Sequence, residues 1–279
     1  MDADKKDTYY EIKPKIAFSF NLRELIEYKE LFYFFTWRDV KVKYKQTALG
    51  FLWAILQPLV MMVIFTFFIG KSMNMPSDDM GYPIFAFSGL ILWTLFSSGI
   101  TNAGNSMVSN AQIIKKIYFP RLVIPISSIL VSVFDFLIAF IVLIGLILLF
   151  QQPVNVPKAV IYWPAGLVIA IMATFGPGCL LAALNVKYRD FRYVIPFLVQ
   201  ALLFLTPVIY PISIVSNSWL KYLLAINPMY AAITIFRMPM MKTVPDASMI
   251  WISLFSGAIF FLVGLTYFRK TEMYFADLA

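Results

Sequence analysis

The chain has no histidine and only one cysteine, Cys179, in 279 residues, and 14% of its residues are charged. Each shortage excludes something. One cysteine forms no intrachain disulfide and no cysteine metal cluster, so Cys179 reads as a packing residue and no metal site is expected. Asp135 is the one ionisable residue well inside an apolar run, too little for the relays on which proton-driven transporters depend. A GxxxxGKS/T loop is missing, so this polypeptide is not expected to cradle ATP phosphates itself.

What is present is hydrophobic. Apolar residues make up 61% of the chain, against about 45–50% in soluble proteins, so lipid must solvate much of the surface. The net charge of +8 suggests nucleic acid at first sight, but the cations lie beside apolar runs, where they meet anionic headgroups. No nucleic-acid partner is expected. The first twenty residues lack an apolar core with a small-residue cleavage site, so the first span itself is expected to direct insertion.

About 20 apolar residues cross a hydrocarbon core of roughly 30 Å. Six runs qualify: Phe51–Gly70, Pro83–Thr101, Leu122–Phe150, Val160–Val186, Tyr193–Ile212 and Ala247–Phe268. The expectation is an all-α polytopic membrane protein with a cytoplasmic arm at 1–20, an amphipathic interfacial helix and entry at 21–50, a six-span domain at 51–268 and a cytoplasmic tail at 269–279. Asn21, with Glu24 three residues on, reads as the start of the interfacial helix. Arg38, Lys41, Lys43 and Lys45 then stop where the first span begins, placing basic side chains among headgroups on the cytoplasmic side. Of the 23 Lys and Arg, only Lys71, Lys158, Lys221, Arg237 and Lys242 fall on the other side, which predicts both termini inside. Tyr222–Phe236, short and interrupted by Pro228, reads as a re-entrant element on the outer side.

The connections carry the candidate sites. Asn102–Pro120 is expected to form a helix projecting into the cytoplasm, and with Asn185–Arg192 it presents Asn105, Gln112, Lys115, Lys116, Tyr188, Arg189 and Asp190 to a cytoplasmic partner. Beyond the fifth span, prolines interleave with Tyr210, Trp219 and Tyr230. Irregular backbone at membrane depth must be buried in protein or line an aqueous opening, so these aromatics read as an outer gate. Asp135 is costly in lipid and must pair or face the interior, where it would lie on a substrate path.

Four stretches together resemble the permease subunits of ABC transporters that export bacterial surface polysaccharides, the O-antigen, capsule and teichoic acid exporters. They are RDVKVKYKQTALGFLWAILQP from Arg38, IIKKIYFPRLVIP from Ile113, NPMY from Asn227 and FRKTEMYFADLA from Phe268. The resemblance implies a homodimer in the bacterial cytoplasmic membrane, each copy docked on a separate nucleotide-binding subunit that holds ATP and Mg. It also implies a lipid-linked polysaccharide as cargo. A permease for a small lipid or drug shares this fold. A membrane enzyme acting on polyprenyl-linked glycan fits the composition, but general acid–base work needs positioned carboxylates or histidines, and the outer connections supply Asp78, Asp79 and Asp246.

Overall fold

The computed structural model describes residues 27–45, 49–188, 190–272 and 275. The arm at 1–20, the helix start at Asn21 and Glu24, Arg189 and most of the tail beyond Glu272 lie outside the described residues. Among those described, the regular elements are helices: α1 (Lys29–Lys45), α2 (Leu52–Phe65), α3 (Tyr82–Ser109), α4 (Ala111–Lys116), α5 (Val123–Leu149), α6 (Val156–Lys187), α7 (Phe191–Leu205), α8 (Ser218–Ala225), α9 (Pro228–Arg237) and α10 (Ala247–Glu272). α2 continues through a π-helical turn, Thr66–Lys71. Among the described residues, five helices are long and apolar enough to cross a membrane: Leu52–Lys71, α3, α5, α6 and α10.

Contacts fix which ends lie together. Arg121, just before α5, donates through its backbone N–H to Glu272 at the end of α10 (3.0 Å). Asn185, near the end of α6, donates to the Gly104 carbonyl of α3 (3.0 Å). Phe35 of α1 packs against the Phe119 ring at a tilt and shares a buried cluster with Phe268 and Phe275. The first and last described segments therefore meet at one end, where Lys115, Lys116, Arg121 and Arg269 also lie; it is called the basic end below. At the far end, the Tyr82 hydroxyl donates to the Ile209 carbonyl and the Asn155 N–H to the Pro239 carbonyl.

α3 is the axis of the bundle. It packs on α2, α5, α6, α7 and α9, and 78% of its most apolar window is buried, against 11% for α2. The predicted second span stopped at Thr101, and the helix instead runs unbroken to Ser109. The polar run that suggested an end is satisfied internally: Asn105 donates to the Thr101 carbonyl (2.9 Å) and Ser106 to that of Ala103 (2.6 Å). The projecting helix expected from Asn102 is accordingly only the short α4, set off by the break at Asn110.

The fifth predicted span also needs correction. Its helix ends at Leu205, not Ile212, because Thr206 precedes Pro207 and takes an extended ψ of 134°, as a residue before proline prefers. Fifteen residues give only about 22 Å of helix. Even so, Ile195 of α7 packs on Gly104 near the basic end and Val208 packs on Gly89 nearer the far end, so α7 and its extended continuation traverse the bundle beside α3.

α8 and α9 meet at 95°. Asn217 caps α8 through the Trp219 N–H, and Asn227 caps α9 through the Met229 N–H, with Pro228 supplying a pre-set first helical residue. Lys221 of α8 and Arg237 at the end of α9 line one far-end cavity with Asp78. Both arms thus start and finish at the far end, forming the re-entrant hairpin that the sequence indicated. Its apex is held by α10: Ser253 donates to the Asn227 carbonyl (2.7 Å) and accepts from the Ala231 N–H (2.9 Å), while Ser256 donates to the Ile226 carbonyl. These serines place the apex about 10 Å along α10 from its first residue at 1.5 Å per residue.

α6 and α10 cross at two glycines. A Cβ on Gly264 would meet the Gly176 carbonyl, and one on Gly176 would lie 2.6 Å from the Phe261 Cα, so backbone touches backbone, as small residues permit in membranes. Gly264→Ala is expected to destabilise the protein by about 2 kcal/mol or more through overpacking, read as thermal unfolding in detergent. Gly145→Ala, where a Cβ meets nothing within 4 Å, is the control and should leave the midpoint unchanged or raise it slightly, since alanine favours the helix more than glycine does.

Candidate functional site

The basic end presents a tip on buried feet. α4 exposes Gln112, Lys115 and Lys116, and Ile117 and Tyr118 beyond it are 62% and 78% exposed. Ile114 and Phe119 on either side are buried. Tyr188 and Asp190 are exposed in the neighbouring connection, and Lys187 lies 5.1 Å from the centre of the Tyr188 ring. Asn105 does not join them. It is half-buried in α3 and accepts from Asn185 Nδ2 (3.1 Å), so it ties α3 to α6.

The cations of α1 divide in two. Lys41, 5.4 Å from the Trp37 ring, and Lys45 are exposed, as are Tyr33 and Trp37, which stack on each other. Exposed aromatic and cationic side chains suit a headgroup layer. Arg38 instead bonds Asp39 and, at 2.8 Å, the Asn110 Oδ1 at the break between α3 and α4. Lys43 pairs with Asp135 of α5, whose other oxygen accepts from the Tyr44 hydroxyl. Asp135 lies about 18 Å along α5 from Val123 at 1.5 Å per residue, so the C-terminal half of α1 leans along that helix. The buried acid thereby has the partners its position demands.

At the far end the deciding side chain is one that sequence reasoning counted only as an outside cation. Arg237, 4% exposed, closes α9. Its Nη2 donates to the carbonyls of Phe85 and Val208 (both 2.7 Å), its Nη1 to that of Pro207 (3.0 Å) and its Nε to Ser88 Oγ (3.3 Å). The guanidinium also lies 3.7 Å from the Phe85 ring centre. Gly89 makes room, since a Cβ there would meet Nη2 and the Val208 carbonyl. One planar fork thus joins the hairpin, the extended continuation of α7 and the first turns of α3.

With this geometry in hand, comparison with known proteins is decisive. Residues 30–241 match the family model of the ABC-2 type transporter membrane domain, from the first turn of α1 to just beyond Arg237. The chain belongs to the ABC-2 type transporter family. It is similar to the O-antigen export system permease protein RfbA of Klebsiella pneumoniae, 29% identical over 94% of this chain and 99% of the relative. A second K. pneumoniae protein of that name is 30% identical over 86% of this chain and 92% of its own length. The polysialic acid transport protein KpsM of Escherichia coli is 25% identical over 84% and 91%. Membership of this family makes the chain a membrane permease subunit rather than an enzyme.

In this ABC-2 permease the three aromatics read as a gate are separated. Tyr230, 2% exposed, is buried on the α9 arm of the hairpin with its hydroxyl 3.7 Å from Met249 Sδ. It lines the far-end cavity of about 280 Å³ with Pro207, Pro211 and Arg237, whereas Tyr210 and Trp219 do not. Tyr210 is half-buried and donates to the Phe204 carbonyl (3.0 Å), and Trp219 is 63% exposed on α8. Asp246, at the same end, has its carboxyl held below the usual range by the hydroxyl and backbone N–H of Ser248. No group of three His, Cys, Asp or Glu that could hold a metal occurs among the described residues.

Two outcomes follow. Arg237→Lys keeps the charge but loses the fork, stranding two or more carbonyls, so it should cost about 3 kcal/mol; thermal unfolding and faster proteolysis near Pro207–Pro211 are the readouts. Lys43→Met should destabilise by leaving Asp135 without its cation, while Lys43→Met with Asp135→Leu should recover most of that loss. A double-mutant cycle on unfolding midpoints measures this coupling.

Proposed function

We propose that this chain is the membrane subunit of an ATP-driven exporter that moves a lipid-linked polysaccharide outward across the bacterial cytoplasmic membrane. Two copies enclose the path, and each docks on a nucleotide-binding subunit that holds ATP and Mg. The basic end faces the cytoplasm, with both termini, because Lys and Arg beside spans stay on that side. The reading is carried by one observation: the matched relatives are named for O-antigen export and polysialic acid transport, and the alignments extend over nearly the whole of each protein.

The basic-end tip supports the docking role. Gln112, Lys115 and Lys116 stand exposed on α4 while Ile114 and Phe119 anchor it, so a push on the tip is transmitted to α1, α3 and α5. Tyr188 and Asp190 extend the same face. ATP shifts the equilibrium between closed and open pathways only if nucleotide binds the two states with different affinity, and this tip gives the ATPase a lever on that difference.

The test is copurification with the candidate ATPase, then ATP turnover in lipid with and without the lipid-linked glycan. A complex whose turnover responds to glycan is expected; a chain that stays alone while folded overturns the reading. Lys115→Ala with Lys116→Ala should assemble normally yet export little polymer per ATP, and normal coupling in that variant would remove the docking assignment.

A further inference from the structure

The far-end cavity of about 280 Å³ lies between the two arms of the hairpin, the start of α10 and the connections before α3 and after α7. That is just below the roughly 300 Å³ at which drug-sized pockets begin, so it suits one small ring rather than a chain. Ser213, Thr243 and Asp246 of its wall are exposed, so it opens to water. Three charged side chains there keep unused capacity. Asp78 accepts from Ser213 through Oδ1 (3.1 Å), and Asp246 accepts both Ser248 donors through Oδ1, which leaves the second oxygen of each carboxylate without a hydrogen bond. Lys221, within electrostatic reach of Asp246, makes no hydrogen bond or ion pair among the described residues. Asp78 is also held at a φ of 46°, a left-handed conformation that aspartate adopts at some cost and that tends to mark binding positions.

We propose that this cavity seats one neutral sugar ring of the polymer as it emerges, an inference that rests on the export reading, which turns the far end outward. Charge selects the class. Arg237 has its donors committed to carbonyls and Ser88 but still contributes its charge, so two carboxylates face two cations and the wall is balanced. A metal ion would meet the cations, and a phosphate would meet the carboxylates. A sugar hydroxyl, in contrast, donates to a carboxylate and accepts from an ammonium at once. Tyr230, Met241 and Met249 in the same wall offer the C–H face of the ring an apolar seat. Because Lys221 belongs to α8 and Tyr230 to α9, a seated ring bridges the two arms of the hairpin.

The test uses the full chain with Thr243→Cys in lipid discs and a membrane-impermeant maleimide. The native Cys179 is buried, and the wild type serves as the blank. The probe is one repeat unit of the surface polysaccharide of the bacterium that encodes this chain, purified as a free oligosaccharide. It should slow labelling, whereas inorganic phosphate, calcium and the zwitterion glycerophosphoethanolamine at equal concentration should not. Asp78→Asn and Lys221→Gln should each weaken protection about tenfold, the loss of one hydrogen bond to a charged group. Lys158→Gln, an exposed cation outside the cavity wall, should leave protection intact. A cysteine that does not label, no slowing by the repeat unit, equal slowing by any of the three charged probes, or full protection in both variants overturns the proposal. Protection by the component monosaccharides but not by the repeat unit also overturns it, since the occupant is then free sugar. Polymer export by the wild type with its ATPase is scored separately. Export without protection removes the sugar site alone, and no export removes the reading beneath it together with the polymer as source.

Discussion

Hydrocarbon offers a backbone carbonyl no partner, and the far end of this permease is built around meeting that constraint with one side chain. The prolines after α7 end its helix too early to complete a crossing and leave the carbonyls of Pro207 and Val208 outside any helix. Arg237 takes both, together with that of Phe85 and the hydroxyl of Ser88. Ser253 and Ser256 meet the same demand at the hairpin apex. A broken span and a re-entrant hairpin therefore share one set of fixed acceptors, and neither is held in place without the other.

The basic end follows a different logic. There the polar groups bind elements together while leaving a tip in water. Asn110 sits at the junction, accepting from Arg38 of α1 and donating back to the Ser106 carbonyl. Asn185 fastens α6 to α3 nearby. Motion of α4 is thus connected to three elements through a few amide hydrogen bonds, each individually weak enough to exchange partners.

Much of this was legible in the sequence because lipid imposes length and hydropathy directly. The apolar runs marked the spans, Pro228 marked the hairpin, and the cluster of cations before Gln46 marked the entry. Arg237 was not legible, since its acceptors lie 152 and 29 residues away, and alone it resembles any loop cation. Asn105 misled for the opposite reason: its polarity read as an exit from the membrane, although its amide is spent on Thr101 and Asn185. Gly176 and Gly264 gave no periodic signal, because their role is to have no side chain where two distant helices cross.

The uneven burial of the helices bears on how the chain is made. α3, the most enclosed helix, has a mean hydropathy of 1.6, the lowest of the five long spans, whereas α2, packed on little, reaches 2.3. α2 can therefore settle in lipid as soon as it leaves the ribosome. α3 follows it but gains its main neighbours, α5, α6 and α9, only later, so its hold on the bilayer depends on sequence not yet translated. Assembly of the protomer is in this sense a process of retention, in which the central helix is secured last by those wrapped around it.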